Sequence, residues 1–236
     1  MKVIILSLSP YKEKDAIVNA ISKNQIITFL ARGIKDPKSK NSAINNPLTI
    51  ADIELMEGDF KYPILKGSKQ LFTPLTIDMN SKYLGAIMLM SEIINNLFPD
   101  EDKANLFDAL EGAVVALKKT NDWLMTLLIF MSYAMRNGGF ELEVNRCVCC
   151  GTKKGIVAFS FLDGGFLCEK CANEATDYDL SKNQMLLLRS IFNSRDYHLL
   201  ELPYNKDDAL FLFNKFIEFM EEAFGYHFKN LRLILD

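Results

Sequence analysis

Arg146–Cys171 reads RCVCCGTKKGIVAFSFLDGGFLCEKC. Cys147 and Cys150 form a C-x2-C pair followed directly by Gly151, and Cys168 and Cys171 form a second pair, with 17 residues between the two. Each pair makes a tight knuckle whose two thiolates point at one ion. Four thiolates arranged in that way match a closed, tetrahedral Zn2+ site, so one structural zinc is expected on Cys147, Cys150, Cys168 and Cys171. An iron–sulfur centre also uses four thiolates; a reversible thiol pair and buried cysteines that bind nothing are the other readings. Cys149 lies between the members of the first pair and could replace Cys150 only through a poorer C-x-C spacing, so it reads as a free thiol beside the site. Between the knuckles, Ile156–Phe161 is rich in strand formers, Asp163-Gly164-Gly165 is a hairpin turn, and Phe166-Leu167 returns the chain. A two-stranded ribbon this small cannot bury enough apolar surface to hold itself. The metal is then part of its folding energy.

Outward from the ribbon, the chain has 236 residues, 49% of them hydrophobic, with 17 phenylalanines, enough to fill a sizeable core. The opening MKVIILSLSPYKEK is too soon polar for a signal peptide. No run approaches a membrane span, and five cysteines are too sparse for a secreted disulfide scaffold. A soluble cytoplasmic protein with no membrane contact is expected. Net charge is −3 but unevenly spread: residues 1–75 carry +4, residues 76–146 carry −4 and the remainder −3. If a polyanion is bound, its electrostatic footprint falls in the N-terminal third.

That third reads as short strands at Val3–Leu8, Ala16–Ile21, Gln25–Ala31, Pro47–Leu55 and Tyr62–Leu65, with turns between them, one at Glu57-Gly58-Asp59. Five strands in 70 residues suggest a small β-barrel; a small sandwich gives nearly the same pattern. After Pro74 the period becomes helical: Tyr83–Leu97, Ala104–Leu117, and Asp122–Met135 with Asn121 as its cap. Trp123 falls in the first turn of the last of these, as core or interface. Beyond the cysteines, Ser181-Lys182-Asn183-Gln184 is a capping box opening a helix through Phe192. Asn205 opens Lys206–Phe224, which Gly225 closes. The expected class is α+β: a barrel over 1–75, helices over 76–146 and 178–236, and a four-cysteine ribbon inserted at 147–177.

No catalytic constellation is present. The two histidines, His198 and His227, lack metalloprotease spacing, there is no G-x-S-x-G elbow or phosphate loop, and no histidine precedes the cysteines as a zinc deaminase requires. The patch with a physical role is the loop of Arg32, Lys35, Lys38 and Lys40, which can follow a phosphate backbone without reading bases. It can equally be a solvated loop. Tyr11, Phe29, Phe60, Tyr62 and Phe72 are the aromatics available for base stacking there, in no regular pattern.

Several segments, taken in order, resemble the RecO family of bacterial recombination mediators over nearly the whole chain. They are Tyr11-Lys12-Glu13-Lys14-Asp15, the loop Ala31-Arg32-Gly33-Ile34-Lys35-Asp36-Pro37-Lys38-Ser39, Gly139-Phe140-Glu141-Leu142, the cysteine knuckles with Gly164-Gly165, and Gly225-Tyr226-His227-Phe228-Lys229-Asn230-Leu231. The resemblance implies an OB fold for the barrel, binding and annealing of single- and double-stranded DNA, and help in loading recombinase onto DNA coated by single-strand-binding protein. It also implies two protein partners, RecR and the C-terminal tail of single-strand-binding protein, and a nucleoid-associated, non-enzymatic role in DNA repair and recombination. Asp36 inside the basic loop departs from the more basic family pattern. The family's tail is acidic with an aromatic end, so its receptor needs an apolar pocket with a cationic rim. Lys215, Phe216, Phe219 and Lys229 are the expected receptor residues, with Arg189 and Arg195 as alternative rim cations.

Overall fold

The computed structural model describes residues 1–56, 58–59, 61–77, 79–172 and 180–235. Glu57, expected in a turn, and Phe60, a candidate stacking aromatic, lie outside the described residues, as does 173–179 at the end of the expected insertion. Contacts divide the chain into two units: Met1–Asn121 joined by Phe228–Asp236, and Asp122–His227.

The first unit contains a closed five-stranded barrel of β1 (Lys2–Pro10), β2 (Ala16–Ile21), β3 (Ile26–Ala31), β4 (Ile50–Met56) and β5 (Ile64–Phe72). Neighbours run β1-β2-β3-β5-β4, and β4 returns to β1 through the antiparallel pairs Lys2↔Asp52 and Ile4↔Ile50. The β3–β5 pair is parallel, at Leu30↔Ile64. This is the five-stranded Greek-key order of an OB fold. Alternation decides which side chains point inward: Ala16, Val18 and Ala20 from β2 face Ile27, Phe29 and Ala31 from β3, so small residues make room for one central phenylalanine. β1 departs from alternation because Val3, Ile4, Ile5 and Leu6 are all buried. Its outer face lies under α1 (Ser81–Leu97), where the Ser91 hydroxyl donates to the Leu6 carbonyl.

Asn80 caps α1, its side chain accepting the Tyr83 N–H at 2.9 Å. A short α2 (Asp100–Lys103) and α3 (Phe107–Thr120) follow, so the second expected helical stretch, Ala104–Leu117, starts and ends three residues later as an α-helix. Asn121 does not cap the next helix. It ends α3 in the left-handed region at φ 56°, which asparagine tolerates, and Asp122 is the N-cap of α4 (Trp123–Asn137). The chain returns to the first unit at its end, where α7 (Arg232–Leu235) packs on α1. The buried Glu92 carboxylate holds that return, accepting the backbone N–H of Lys229 (2.8 Å) and Asn230 (3.0 Å) and the Asn230 amide (2.8 Å). Glu92→Ala is therefore expected to destabilise the chain by about 1.5–3 kcal/mol, since charge-assisted bonds are lost and two N–H groups are left without this acceptor. A urea midpoint unchanged from the parent would contradict this.

In the second unit α4 packs with α5 (Lys182–Asn193) and α6 (Lys206–Phe224). The capping box is present at Ser181 and Gln184, Asn205 accepts the Asp207 and Asp208 N–H groups, and Gly225 ends α6. Half-buried Trp123 meets Phe213 edge-on at 6.1 Å. The ribbon has three strands, not two: β6 (Glu143–Cys147) runs parallel to β8 (Gly165–Cys168), which pairs antiparallel with β7 (Ile156–Ser160). Gly165 makes this possible, because a Cβ there would lie 2.5 Å from the Glu143 carbonyl oxygen. Among the described residues no helix is long and apolar enough to cross a membrane.

Candidate metal centre and nucleic-acid interface

The two knuckles close on one point. Cys147 opens a turn in which its carbonyl accepts the Gly151 N–H (2.8 Å) and its own N–H donates to the Thr152 carbonyl (2.7 Å). The Cys168 carbonyl accepts from Cys171 and Ala172 in the same manner, at 2.9 and 2.8 Å. A bond from Val148 N–H to the Phe166 carbonyl joins the knuckles across the sheet. The sulfurs of Cys147, Cys150, Cys168 and Cys171 consequently lie within 4.8 Å of one another, and Cys150 and Cys168 are 3.6 Å apart. Zn–S bonds of about 2.3 Å place tetrahedral sulfurs roughly 3.8 Å apart, so the donor set fits a metal ion of that class. Cys149 is exposed and outside the group.

The thiols of the group differ in acidity. Burial opposes the Cys147 thiolate, yet hydrogen bonds from the backbone at Cys150, Cys168 and Cys149 outweigh it and lower its pKa to about 6. Burial likewise opposes ionisation of Cys168, which backbone bonds at Lys170 and Cys171 turn downward. Cys171 is raised instead, because it shares hydrogen bonds with the sulfurs of Cys150, Cys168 and Cys147. Binding of a divalent ion requires all four as thiolates and would release the protons that remain.

The second candidate is one end of the barrel. Ile34 and Ile44 enter the barrel core and pin the connection between β3 and β4 at two points. Gly33 takes φ 65°, and its N–H donates to Asp15 Oδ1 at 2.8 Å; the Lys35 N–H donates to the Lys14 carbonyl at 3.1 Å. Asp36 is consumed in the same brace: it pairs with Lys14 at 2.9 Å, and its Oδ1 accepts the Lys38 N–H at 3.0 Å. The hydrogen bond from Lys14, then that from Lys38, hold the Asp36 carboxyl below its usual pKa. Its depressed value means the brace is intact at neutral pH and is lost only as pH falls through that value. Arg32, Lys35, Lys38 and Lys40 are all exposed, and none forms an ion pair among the described residues. The acidic residue that departs from the family pattern thus pairs with Lys14 and not with any of the four loop cations.

Sequence reasoning named Tyr11 and Tyr62 as stacking candidates but missed the cations beside them, Lys12 and Lys61, and the bonds that tie the first of their loops to the basic one. Tyr11 to Asp15 is bound to the basic loop by the bonds just described, and the Pro63 carbonyl accepts the Leu30 N–H (2.9 Å) at the same end of β3. Tyr11 is 51% exposed with Lys12 over its ring at 5.7 Å, and Lys61 stands 5.3 Å from the ring of half-buried Tyr62. The Lys-Tyr adjacency in each loop was the available signal. Phe29 is unavailable for stacking, since it fills the barrel core.

Of the expected receptor residues, two are engaged within the second unit. Phe216 is fully buried, packed edge-on against Phe192 at 5.8 Å, and so serves the core. Lys215 pairs with Glu218 at 3.0 Å, and Lys229 belongs to the segment that returns to the first unit. Phe219 alone reaches a groove, where it stacks on Phe161 at 5.1 Å. A different cavity, of about 560 Å³, lies between the ribbon and α5, floored by Val144, Ile156, Val157 and Met185 and bordered by Lys153, Lys182 and Arg189. Arg189, expected as an alternative rim cation, is on it.

A sequence model described as Recombination protein O N terminal matches residues 1–76, and one described as Recombination protein O C terminal matches residues 80–225. The chain is similar to a DNA repair protein RecO from Syntrophomonas wolfei, 26% identical over 82% of this chain and 78% of the relative. It is 23% identical to that of Oceanobacillus iheyensis over 99% of this chain and 91% of the relative. Against that of Bacillus subtilis it is 24% identical over 98% of this chain and 91% of the relative.

Proposed function

The chain belongs to the recombination protein O (RecO) family of DNA repair proteins, and from that premise we propose that it is a non-enzymatic recombination mediator. In this reading it binds single- and double-stranded DNA, anneals complementary strands and helps load recombinase onto DNA coated by single-strand-binding protein, as a nucleoid-associated protein. The observation that carries the reading is the barrel end: Arg32, Lys35, Lys38 and Lys40, without an ion pair among the described residues, beside loops that present Tyr11 with Lys12 and Tyr62 with Lys61. Cations follow phosphates while the accessible faces of such rings accept bases of any sequence. Ion-paired loop cations would have favoured a protein-interaction adaptor with incidental DNA contact.

One Zn2+ on Cys147, Cys150, Cys168 and Cys171 has a structural role here, because four thiolates leave it no open position for substrate. RecR and the acidic tail of single-strand-binding protein are the protein partners of this reading. For the tail, the cavity bordered by Lys153, Lys182 and Arg189 has the fitting charge and an aliphatic floor. None of those three cations forms an ion pair among the described residues.

The test is annealing of two complementary labelled oligonucleotides, with and without protein and with no nucleotide cofactor. The protein is expected to accelerate pairing at low salt, and the acceleration to fade as salt rises. Pairing at the protein-free rate, with no DNA bound at 50 mM salt, would refute the reading.

A further inference from the structure

The second unit has another groove, of about 610 Å³, between the β7–β8 turn and α6. Its floor is aromatic: Phe161 stacks on Phe219 at 5.1 Å, and Phe140 meets Phe219 edge-on at 5.9 Å. All three rings are only half-buried. Leu162, at the turn beside them, is 98% exposed. A leucine there gains nothing from the fold, and apolar surface with a polar rim is the mark of a contact site. The rim is acidic: Glu141, Asp163 and Glu222 are exposed, and none forms an ion pair among the described residues.

That sign excludes DNA and the acidic tail. Three uncompensated carboxylates repel a phosphate backbone, and they repel an acidic tail for the same reason. The aromatic floor attracts a large apolar side chain and also accepts a cation against a ring face. We propose that this groove receives a basic segment of a protein partner, carrying lysines or arginines on both sides of one large apolar anchor. The carboxylates orient the segment and exclude acidic competitors, while the anchor, covered by Leu162 and the phenylalanines, supplies most of the affinity. Because Leu162 stands on the turn of the four-cysteine ribbon, the surface exists only while the ribbon is folded. The proposal goes beyond DNA binding and does not depend on it.

The test is fluorescence anisotropy of the full-length, metal-loaded protein with a labelled nonapeptide of eight lysines around a central tryptophan. Expected is saturable binding that falls at least about tenfold in Leu162→Ser and in Glu222→Lys, with DNA affinity unchanged in both. Both positions are exposed, so neither change disturbs the core. The same peptide with serine in place of tryptophan should bind at least about tenfold more weakly. Equal binding of the two peptides, or parental affinity in both variants, would overturn the proposal. So would sedimentation of the unliganded parent as a dimer that Leu162→Ser dissociates, since a second copy would then be the occupant.

Discussion

Removing the metal, by chelation or by replacing any one of Cys147, Cys150, Cys168 and Cys171 with serine, is expected to unfold the ribbon and leave the barrel folded. The ribbon's own core is small: Cys147, Ala158, Leu167 and Cys168, with Ile156, Val157, Cys171 and Ala172 packed around it. Two of its four fully buried members are themselves ligands, so metal and core are largely the same atoms. Structural zinc sites contribute apparent free energies of about 10–16 kcal/mol near neutral pH, far more than such a cluster can bury by itself. Elemental analysis should give one zinc per chain in the parent and in Cys149→Ser, and none in the four ligand variants. Amide exchange should become fast through 156–168 and stay slow in the first unit, whose barrel core includes none of the cysteines. A purified chain with no zinc, or Cys149→Ser with none, would sink the assignment. Loss of the ribbon should also abolish binding of the lysine–tryptophan peptide, since Leu162 and Phe161 line its groove from the β7–β8 turn.

What could be read in the sequence was whatever depends on local pattern. Cysteine spacing located the four sulfurs, and Ser181 with Gln184 and Asn205 with Gly225 located two helices to within a residue. β1 was legible because a run buried on both faces is apolar throughout. β6 was not recognised, although Leu142 and Val144 alternate with polar neighbours, because its partner β8 is 19 to 22 residues away and parallel. Asn121 and Asp122 are both good capping residues, and only the backbone decides which is left-handed. Phe216 and Phe219 sit on one helix three residues apart, a spacing that composition cannot separate into core and groove. The sign of the charge around Phe219 was equally hidden, for Glu141 and Asp163 reach it from other elements. That Asp36 pairs with none of the loop cations depended on Lys14, 22 residues away in the chain.

Reversing the charge of three loop residues together, Arg32→Glu, Lys35→Glu and Lys38→Glu, is expected to weaken single-stranded DNA binding by about 100-fold at 0.1 M salt. Each phosphate contact on a single strand contributes a slope of roughly 0.7 in log K against log [salt], so three lost contacts lower the slope by about 2.1 and the affinity by about two decades at 0.1 M. Charge reversal adds repulsion to that loss, which makes the figure a minimum. Stability should be nearly unaffected, since all three side chains are exposed and the loop is held instead by Ile34, Ile44, Gly33 and the Lys14–Asp36 pair. Tyr11→Ala and Tyr62→Ala give the complementary result: stacking is worth about 1–3 kcal/mol per base and carries no counterions, so affinity should fall while the salt slope stays at the parent value. Lys14→Ala separates brace from contact. It frees the Asp36 carboxylate among the remaining cations, and so should weaken DNA binding beyond the loss of one charge, an excess that Lys14→Ala with Asp36→Asn restores. Measured by fluorescence anisotropy between 50 and 200 mM salt, an unchanged slope in the triple variant would place the DNA on some other surface. A lowered slope in Tyr11→Ala would show that its neighbour Lys12, and not the ring, makes the contact.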